Sequence, residues 1–283
     1  MHWYMSTNPG GFKSAQKEFA PLAIRGFQSY VQVDALDASH VLNKVERALA
    51  ACDKADAAPY IALQFCDGRG GVPSGAEKWF AEDRALASRV VEALAAFADR
   101  RPDLAPVLLR LGVEVDRPTH PHQPKLYRQA LALFLEEAKK ADPDGKKVRV
   151  VCSAMRGRAS YRIVFSHWKL PGVCRYGIDD YLCEEHSPCV MGMSFFNPNQ
   201  SRQNRVARLA TERGADWMIS ESVNKSDAPS VEGAKKWFDE LFDAIQGDNP
   251  PAAVFFIPKT MGLAEDTPSA REELVRYFVS RAS

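Results

Sequence analysis

The sequence predicts an α/β protein built as a single (β/α)8 barrel, or TIM barrel, over residues 1–283. Eight short apolar runs alternate with amphipathic stretches whose apolar residues recur every three or four positions. The runs are dense in Val, Ile, Leu and Phe, which is typical of parallel strands covered on both faces. Eight strands, each followed by a helix, are the pattern of this barrel.

The predicted elements follow in chain order. The strands are 2–5, 27–33, 59–65, 105–115, 147–155, 189–196, 216–222 and 252–258. The helices are 38–55, 74–100, 124–141, 203–214, 230–247 and 269–282, several of them bounded by proline at the start or glycine at the end. The segment 156–188 has no clean helical pattern, and we expect a long loop there.

An open, doubly wound sheet is the alternative fold. It is disfavoured because no predicted strand is followed by the glycine-rich phosphate-binding turn that such folds usually carry. The stretch "DGRGG" at 67–71 is too short for that turn and lies in a proline-containing loop. The chain has no repeats or linker-like segments, so we expect one domain.

The composition narrows the classes of partner. Lys and Arg number 37 against 36 Asp and Glu, with no block of either sign, which argues against nucleic acid or an anionic membrane. No apolar stretch approaches the roughly 20 residues that span a bilayer. The N-terminus lacks a signal-peptide pattern. We expect a monomer that is either secreted, its signal absent from this chain, or cytosolic.

The six cysteines are too few for a disulfide scaffold, and none forms a C-x-x-C pair, which disfavours a zinc site. Cys174, Cys183 and Cys189 lie close together in a loop-rich region. They form either one bridge in an oxidising compartment or free thiols.

Side chains at the carboxyl ends of the predicted strands form the candidate site, because the loops at that end of a barrel carry its function. Glu114 ends strand four and Glu221 ends strand seven. Strand three ends at Gln64 and Asp67, and strand six ends at Phe196.

Glu114 and Glu221 lie on strands that oppose each other across the barrel mouth. Two carboxylates about 5–5.5 Å apart are the geometry of a retaining glycosidase. Glu114, between two valines, suits the acid that keeps its proton, and Glu221, between two serines, suits the ionised nucleophile. A solvated rim position is the alternative for each.

Arg110 supports the functional interpretation. In "LLRLGVEVD" it shares its side of the strand with Gly112 and Glu114. An arginine inside a barrel is costly unless it is paired and hydrogen-bonded. We therefore expect Arg110 to organise carboxylates at the mouth, unless the strand is an edge and Arg110 faces water.

Three stretches carry a family resemblance: "LLRLGVEVD", "YGIDDYLCEEHSPCVMGMSFFNPNQ" and "RLATERGADWMISESVNKSD". Together they resemble glycoside hydrolase family 26 and its relatives in clan A, the β-mannanase-type retaining glycosidases, over about residues 100–258. The resemblance implies that Glu114 is the acid/base, Glu221 the nucleophile and Arg110 a supporting residue on strand four.

The chain departs from that family at three places. Val113 stands where the family has His or Asn before the acid/base. Phe195 or Phe196 replaces a tyrosine or histidine on strand six, and "FFIPKTMG" lacks the tryptophan usual near strand eight. A catalytically degenerate carbohydrate-binding barrel is therefore the alternative function.

Sugars bind by stacking on aromatic rings and by hydrogen bonds to their hydroxyls. The candidate substrate-binding residues are Arg110, Trp168, His167, Tyr176, Phe196, Gln64, Asp67 and Trp3. Tyr4 and Trp79 are further candidate platforms. Core packing is the alternative for the aromatic residues, and Trp237, within a helical pattern, is expected in the core.

The predicted function is hydrolysis of a β-linked polysaccharide or oligosaccharide by double displacement, with no cofactor and no metal. His120 and His122 lie in a proline-rich loop without an acidic neighbour, which disfavours a metal site. A metal-dependent barrel hydrolase is a third reading, and the lack of a His-x-His in strand one argues against it.

Overall fold

The computed structural model describes residues 1–20, 22–65, 72–112, 123–154, 189–195, 216–222, 230–258 and 267–282. It contains eight strands: β1 (His2–Met5), β2 (Ile24–Gln32), β3 (Ala58–Gln64), β4 (Val107–Leu111), β5 (Val148–Ala154), β6 (Cys189–Phe195), β7 (Asp216–Ser222) and β8 (Ala253–Phe256).

The strands form one parallel sheet in chain order. Each strand pairs with the next, and β8 pairs in parallel with β1, so the described strands close into a barrel. This differs from the open sheet that was the alternative. The α/β class with parallel strands is confirmed, whereas the segments after β5 and β6, including the predicted helix 203–214, lie outside the described residues.

Seven helices lie within the described ranges: α1 (Phe12–Glu18), α2 (Ala38–Ala55), α3 (Ala76–Glu82), α4 (Arg84–Arg100), α5 (Pro124–Ala141), α6 (Val231–Ile245) and α7 (Pro268–Ala282). Several of them begin with ordinary capping chemistry. The Asp37 carboxylate accepts from the amide of Ser39 at 2.8 Å, and the Ser230 hydroxyl accepts from the amide of Gly233 at 3.0 Å. Helix α5 begins with Pro124.

Two elements differ from the prediction. Helix α1 was not anticipated. The single helix expected over 74–100 is two helices, because Asp83 leaves the helical conformation and its carboxylate caps α4 by accepting from the amide of Leu86 at 2.9 Å. The helical spacing of apolar residues continues across this break, so periodicity could not reveal it.

The main core lies between the sheet and the surrounding helices. Trp3 of β1 packs edge-on against Phe256 of β8 and Phe278 of α7, with ring centroids 6.0 and 5.6 Å apart. Burying such large rings is the main favourable term in this packing. A second set of side chains fills the barrel interior.

The amino-terminal end of the interior holds an ion pair. Arg149 of β5 and Asp216 of β7 share a short salt bridge, and the Arg149 side chain is largely buried. By register Arg149 is level with Leu108 of β4, two positions before Arg110 on the same face. The pair joins two strands that are not neighbours in the sheet.

Candidate active site

Aromatic rings form the middle of the barrel interior. Tyr60 of β3 contacts Tyr4 of β1 and Phe255 of β8, with ring centroids 5.9 and 5.5 Å apart. Burial raises the pKa of Tyr4 to about 12, so its phenol stays protonated near neutral pH. Gly26 of β2 makes room for this packing, since a Cβ there would lie 3.0 Å from the Tyr4 ring and 1.9 Å from the Ala58 carbonyl oxygen.

Arg110 lies in this interior, and its side chain is completely buried. Its Nη1 donates a hydrogen bond of 3.4 Å to the carbonyl oxygen of Ser220 on β7. The Tyr60 hydroxyl donates to the same oxygen at 3.2 Å. The prediction that Arg110 points into the barrel rather than to water is therefore confirmed, and its guanidinium ties β4 to β7.

Strand β7 carries an irregularity at Ser220. Ile219 is level with Met193 of β6, but the next pair is Glu221 with Ser194. Ser220 is thus an extra residue, as in a β-bulge. Its carbonyl is the one that accepts from Tyr60 and Arg110. Sequence patterns did not predict this bulge.

Strand β4 ends earlier than predicted. Its last residue is Leu111, whose carbonyl accepts from the Tyr127 hydroxyl at 2.9 Å. Gly112 then adopts φ +70°, a left-handed conformation that interrupts strand alternation. Strand alternation from Arg110 therefore ends at Gly112, and Glu114 lies outside the described residues.

Two cavities open near the carboxyl ends of the strands. One, of about 360 Å³, lies between the end of β3 and the start of α5. Both carboxylate oxygens of Glu77 at its edge accept from the amide of Gln123, at 3.0 and 3.1 Å. The other, of about 450 Å³, lies between the ends of β1 and β8, beside the Arg271–Glu18 ion pair.

The structure brings some predicted site residues to this end of the barrel. Gln64 is the last residue of β3 and is partly exposed. Glu221 is the second-last residue of β7, and its side chain is outside the description. The remaining candidates lie outside the described residues: Asp67, Glu114, His167, Trp168, Tyr176 and Phe196.

Trp3 is placed differently from the prediction. It is 4% exposed and faces α6 and α7 rather than the mouth, because its position in β1 points towards the helices. Tyr4 faces the interior but is buried beneath the mouth. Trp79 packs edge-on against Phe80, 5.5 Å between centroids, and Trp237 is in the core as expected.

Two residues on β2 were not among the predicted site residues. Tyr30 is 50% exposed, and Gln28 is buried on the same face of the strand. A signal for them was present. In "FQSYVQV" Gln28, Tyr30 and Gln32 alternate with Phe27, Ser29 and Val31, and such alternation marks a strand whose two faces differ.

Within the described ranges, no group of three or more His, Cys, Asp or Glu side chains could hold a metal ion. None of the helices described is both long and apolar enough to cross a bilayer. Cys52 and Cys152 are buried there, and burial raises the pKa of the Cys52 thiol to about 12. The predicted histidine pair at 120 and 122, and Cys174 and Cys183, fall outside the described residues.

The chain matches no protein-family model and no curated protein sequence. Solved structures share its fold. An exo-β-1,4-mannosidase from Opitutaceae bacterium strain TAV5 aligns with TM-score 0.61 and 13% identity, over 99% of this chain and 58% of that one. A fungal β-1,4-galactanase aligns with TM-score 0.56 and 12% identity, over 97% and 99%.

A glucosidase from Croceicoccus marinus aligns with TM-score 0.61 and 10% identity, over 99% of this chain and 67% of that one. The chain thus spans 58% of the length of the mannosidase. At these identities the likeness shows the fold.

Proposed function

We propose that this chain is a retaining glycoside hydrolase that cleaves a β-linked polysaccharide or oligosaccharide by double displacement. In this proposal Glu221 is the nucleophile and Glu114 the acid/base, and Arg110 is a positioning residue. The catalytic unit is one (β/α)8 domain over residues 1–283, a monomer that needs no cofactor.

The hydrogen bond from Arg110 to the Ser220 carbonyl carries the proposal. Arg110 lies four residues before Glu114, and Ser220 directly precedes Glu221. The bond crosses the interior between two strands that are not neighbours in the sheet. It therefore supports the proposal that the two chain segments carrying the glutamates meet at one place, as the double displacement requires.

The bulge in β7 supports the same assignment. Counted from Met218, which pairs with Gly192, regular alternation would put residue 220 rather than 221 in the inward series. The extra residue changes this count, so Glu221 is level with Ser194, which follows Val190 and Gly192 at intervals of two. We infer that the bulge brings position 221 into register with the series of Val190, Gly192 and Ser194.

The fold neighbours give further support. The three reported structures are named as a mannosidase, a galactanase and a glucosidase, and all three names denote enzymes that cleave glycosidic bonds. Their sugars differ, so they favour the reaction class rather than one sugar. The assignment to glycoside hydrolase family 26 rests on the resemblance of the three sequence stretches.

The chemistry follows from the two carboxyl groups. Glu221 attacks the anomeric carbon while Glu114 gives its proton to the departing glycosidic oxygen, which leaves a glycosyl ester on Glu221. Glu114 then takes a proton from water, the water oxygen bonds to the same carbon, and the Glu221 carboxylate leaves. The positive charge of Arg110 nearby favours the ionised form of the nucleophile.

A catalytically degenerate carbohydrate-binding protein is the second candidate. Val113 stands where the resemblance has a histidine or asparagine, and β8 has phenylalanines where the family has a tryptophan nearby. In that case Asp67, His167, Trp168, Tyr176 and Phe196 remain candidates for sugar contact.

Glu221→Ala and Glu114→Ala test the mechanism, with Glu232→Ala on the exposed first turn of α6 as the control. Each site variant is expected to lose at least about 10³-fold in kcat when reducing ends released from a polysaccharide panel are measured. Azide should restore turnover in the Glu221 variant and yield a glycosyl azide of inverted configuration.

Full activity in either site variant would contradict the mechanism. If the unmodified protein binds oligosaccharides but releases no product, the binding protein is the better description. Circular dichroism of all three variants separates lost chemistry from lost folding.

A further inference from the structure

The two faces of β2 have different surroundings. The Phe27 ring lies 5.4 Å from that of Phe12 in α1, and Ser29 hydrogen-bonds to Cys52 in α2, so these residues face the helices. Gly26 abuts the Tyr4 ring in the interior. By alternation, Gln28, Tyr30 and Gln32 therefore face the barrel interior.

Exposure rises sharply along this inner face. Gln28 is 6% exposed, whereas Tyr30, two residues nearer the carboxyl end, is 50% exposed. Tyr30 is level with Ala62 of β3, and Ala62 is level with Arg110 of β4. Because neighbouring strands are about 4.8 Å apart, the Tyr30 and Arg110 backbones are about 10 Å apart.

Amide groups surround Tyr30. Gln32 and Gln64 are level with each other at the last positions of β2 and β3, and both are partly exposed. Below them, the side-chain oxygen and nitrogen of Gln28 are buried and have no hydrogen-bond partner among the described residues. A buried amide without a partner is costly, so an ordered water or a ligand hydroxyl is expected there.

The turn after β2 is held in place. Asp34 accepts from Lys44 at 2.6 Å and contacts His40 at 2.8 Å, while Lys44 also donates to the Gln32 carbonyl at 3.0 Å. The Lys44 hydrogen bond holds the pKa of Asp34 below its usual value. A fixed rim lowers the entropy cost of binding at this place.

We propose that this inner face of β2 and β3 is a saccharide subsite in which a pyranose ring stacks on Tyr30. Gln32 and Gln64 bind its hydroxyls, and Gln28 holds a water or hydroxyl beneath it. The inward residues of β2 and β3 carry no charge, from Gly26 to Gln32 and from Ala58 to Gln64, so the subsite takes a neutral sugar rather than a uronic acid. The ligand class rests on the proposed function.

Calorimetric titration of neutral β-linked oligosaccharides tests this subsite in the Glu221→Ala background, where substrate persists. Tyr30→Ala is expected to weaken binding by about tenfold or more, since it removes the stacking surface. Gln28→Leu, which keeps the shape of the side chain, is expected to weaken binding several-fold. Tyr277→Ala on the outer helix α7 is the control and should bind normally.

A second measurement separates this inference from the proposed function. If the unmodified protein cleaves polysaccharide and Tyr30→Ala neither binds nor cleaves more weakly, the subsite is wrong and the hydrolase stands. If no product forms but Tyr30→Ala removes binding, the subsite stands and the hydrolase is wrong. Tighter binding of uronate oligomers than of neutral ones, or no binding of either, also overturns the subsite.

Discussion

Two arginines on neighbouring strands face the barrel interior in different surroundings. Arg149, near the amino-terminal end of β5, pairs with the carboxylate of Asp216. Arg110, further along β4, is completely buried and donates to the backbone carbonyl of Ser220. Both side chains reach β7, one at its first residue and the other directly before Glu221.

The different surroundings of the two arginines distinguish a structural charge, Arg149, from a charge close to the proposed catalytic residues, Arg110. In (β/α)8 barrels the amino-terminal end serves stability and the carboxyl-terminal end carries the active site. Arg149 with its ion pair fits the first role. Arg110, tied to the residue that precedes the proposed nucleophile, fits the second.

Replacing Arg110 is the strongest test of this comparison. Arg110→Met is expected to lower kcat/KM by about 100-fold, because the charge no longer favours an ionised nucleophile. The acidic limb of the kcat/KM profile against pH should move to higher pH. The unfolding free energy should change little, since the Ser220 carbonyl keeps its hydrogen bond from Tyr60.

Arg149→Met is the matched control and should leave the pH profile in place. A large loss of stability with normal kinetics in the Arg110 variant would make Arg110 a structural residue like Arg149.

Tyr60→Phe tests the other group that donates a hydrogen bond to the Ser220 carbonyl, and its effect can be compared with that of Arg110→Met. It removes one buried hydrogen bond and should lower the unfolding free energy by about 1 kcal/mol, measured in urea. If Arg110 is the functional donor, the Tyr60→Phe variant should change kcat/KM by less than about threefold under the same conditions. A loss of activity equal to that of Arg110→Met would show that the Ser220 carbonyl, rather than the cation, matters.

The smallest effect is expected at the amino-terminal end. A double-mutant cycle of Arg149→Met and Asp216→Asn should give a coupling of about 1 kcal/mol or less, because Asp216 is half exposed. The hydrolysis rate of each variant should equal that of the parent. A rate effect here would remove the distinction between the two ends.

Much of the fold was readable from the sequence. Apolar runs gave all eight described strands, and β1 and β7 have the predicted bounds. Helix periodicity gave α2 and α5 with their bounds, because capping residues and proline mark their starts. The break at Asp83 and the early end of β4 at Gly112 were missed, since both depend on single backbone conformations.

The candidate site was less readable. The short run "HWYM" does not reveal which side of β1 faces the interior, so Trp3 was predicted at the mouth although it packs against the helices. Tyr30 was missed because its strand was read as part of a uniformly apolar sheet. The bulge at Ser220 is a property of the pairing between β6 and β7, and the local sequence gave no signal for it.

The extra residue in β7 makes chain length matter more than side-chain identity at this place. Ser220→Ala keeps the carbonyl that accepts both hydrogen bonds, so such a substitution should be tolerated. Deleting a single residue between Met218 and Glu221 would instead shift the register of β7 by one residue. Each following residue of the strand would then move to the opposite face of the sheet. In related chains, we therefore expect no insertions or deletions between the positions of Met218 and Glu221, even where the residue types differ.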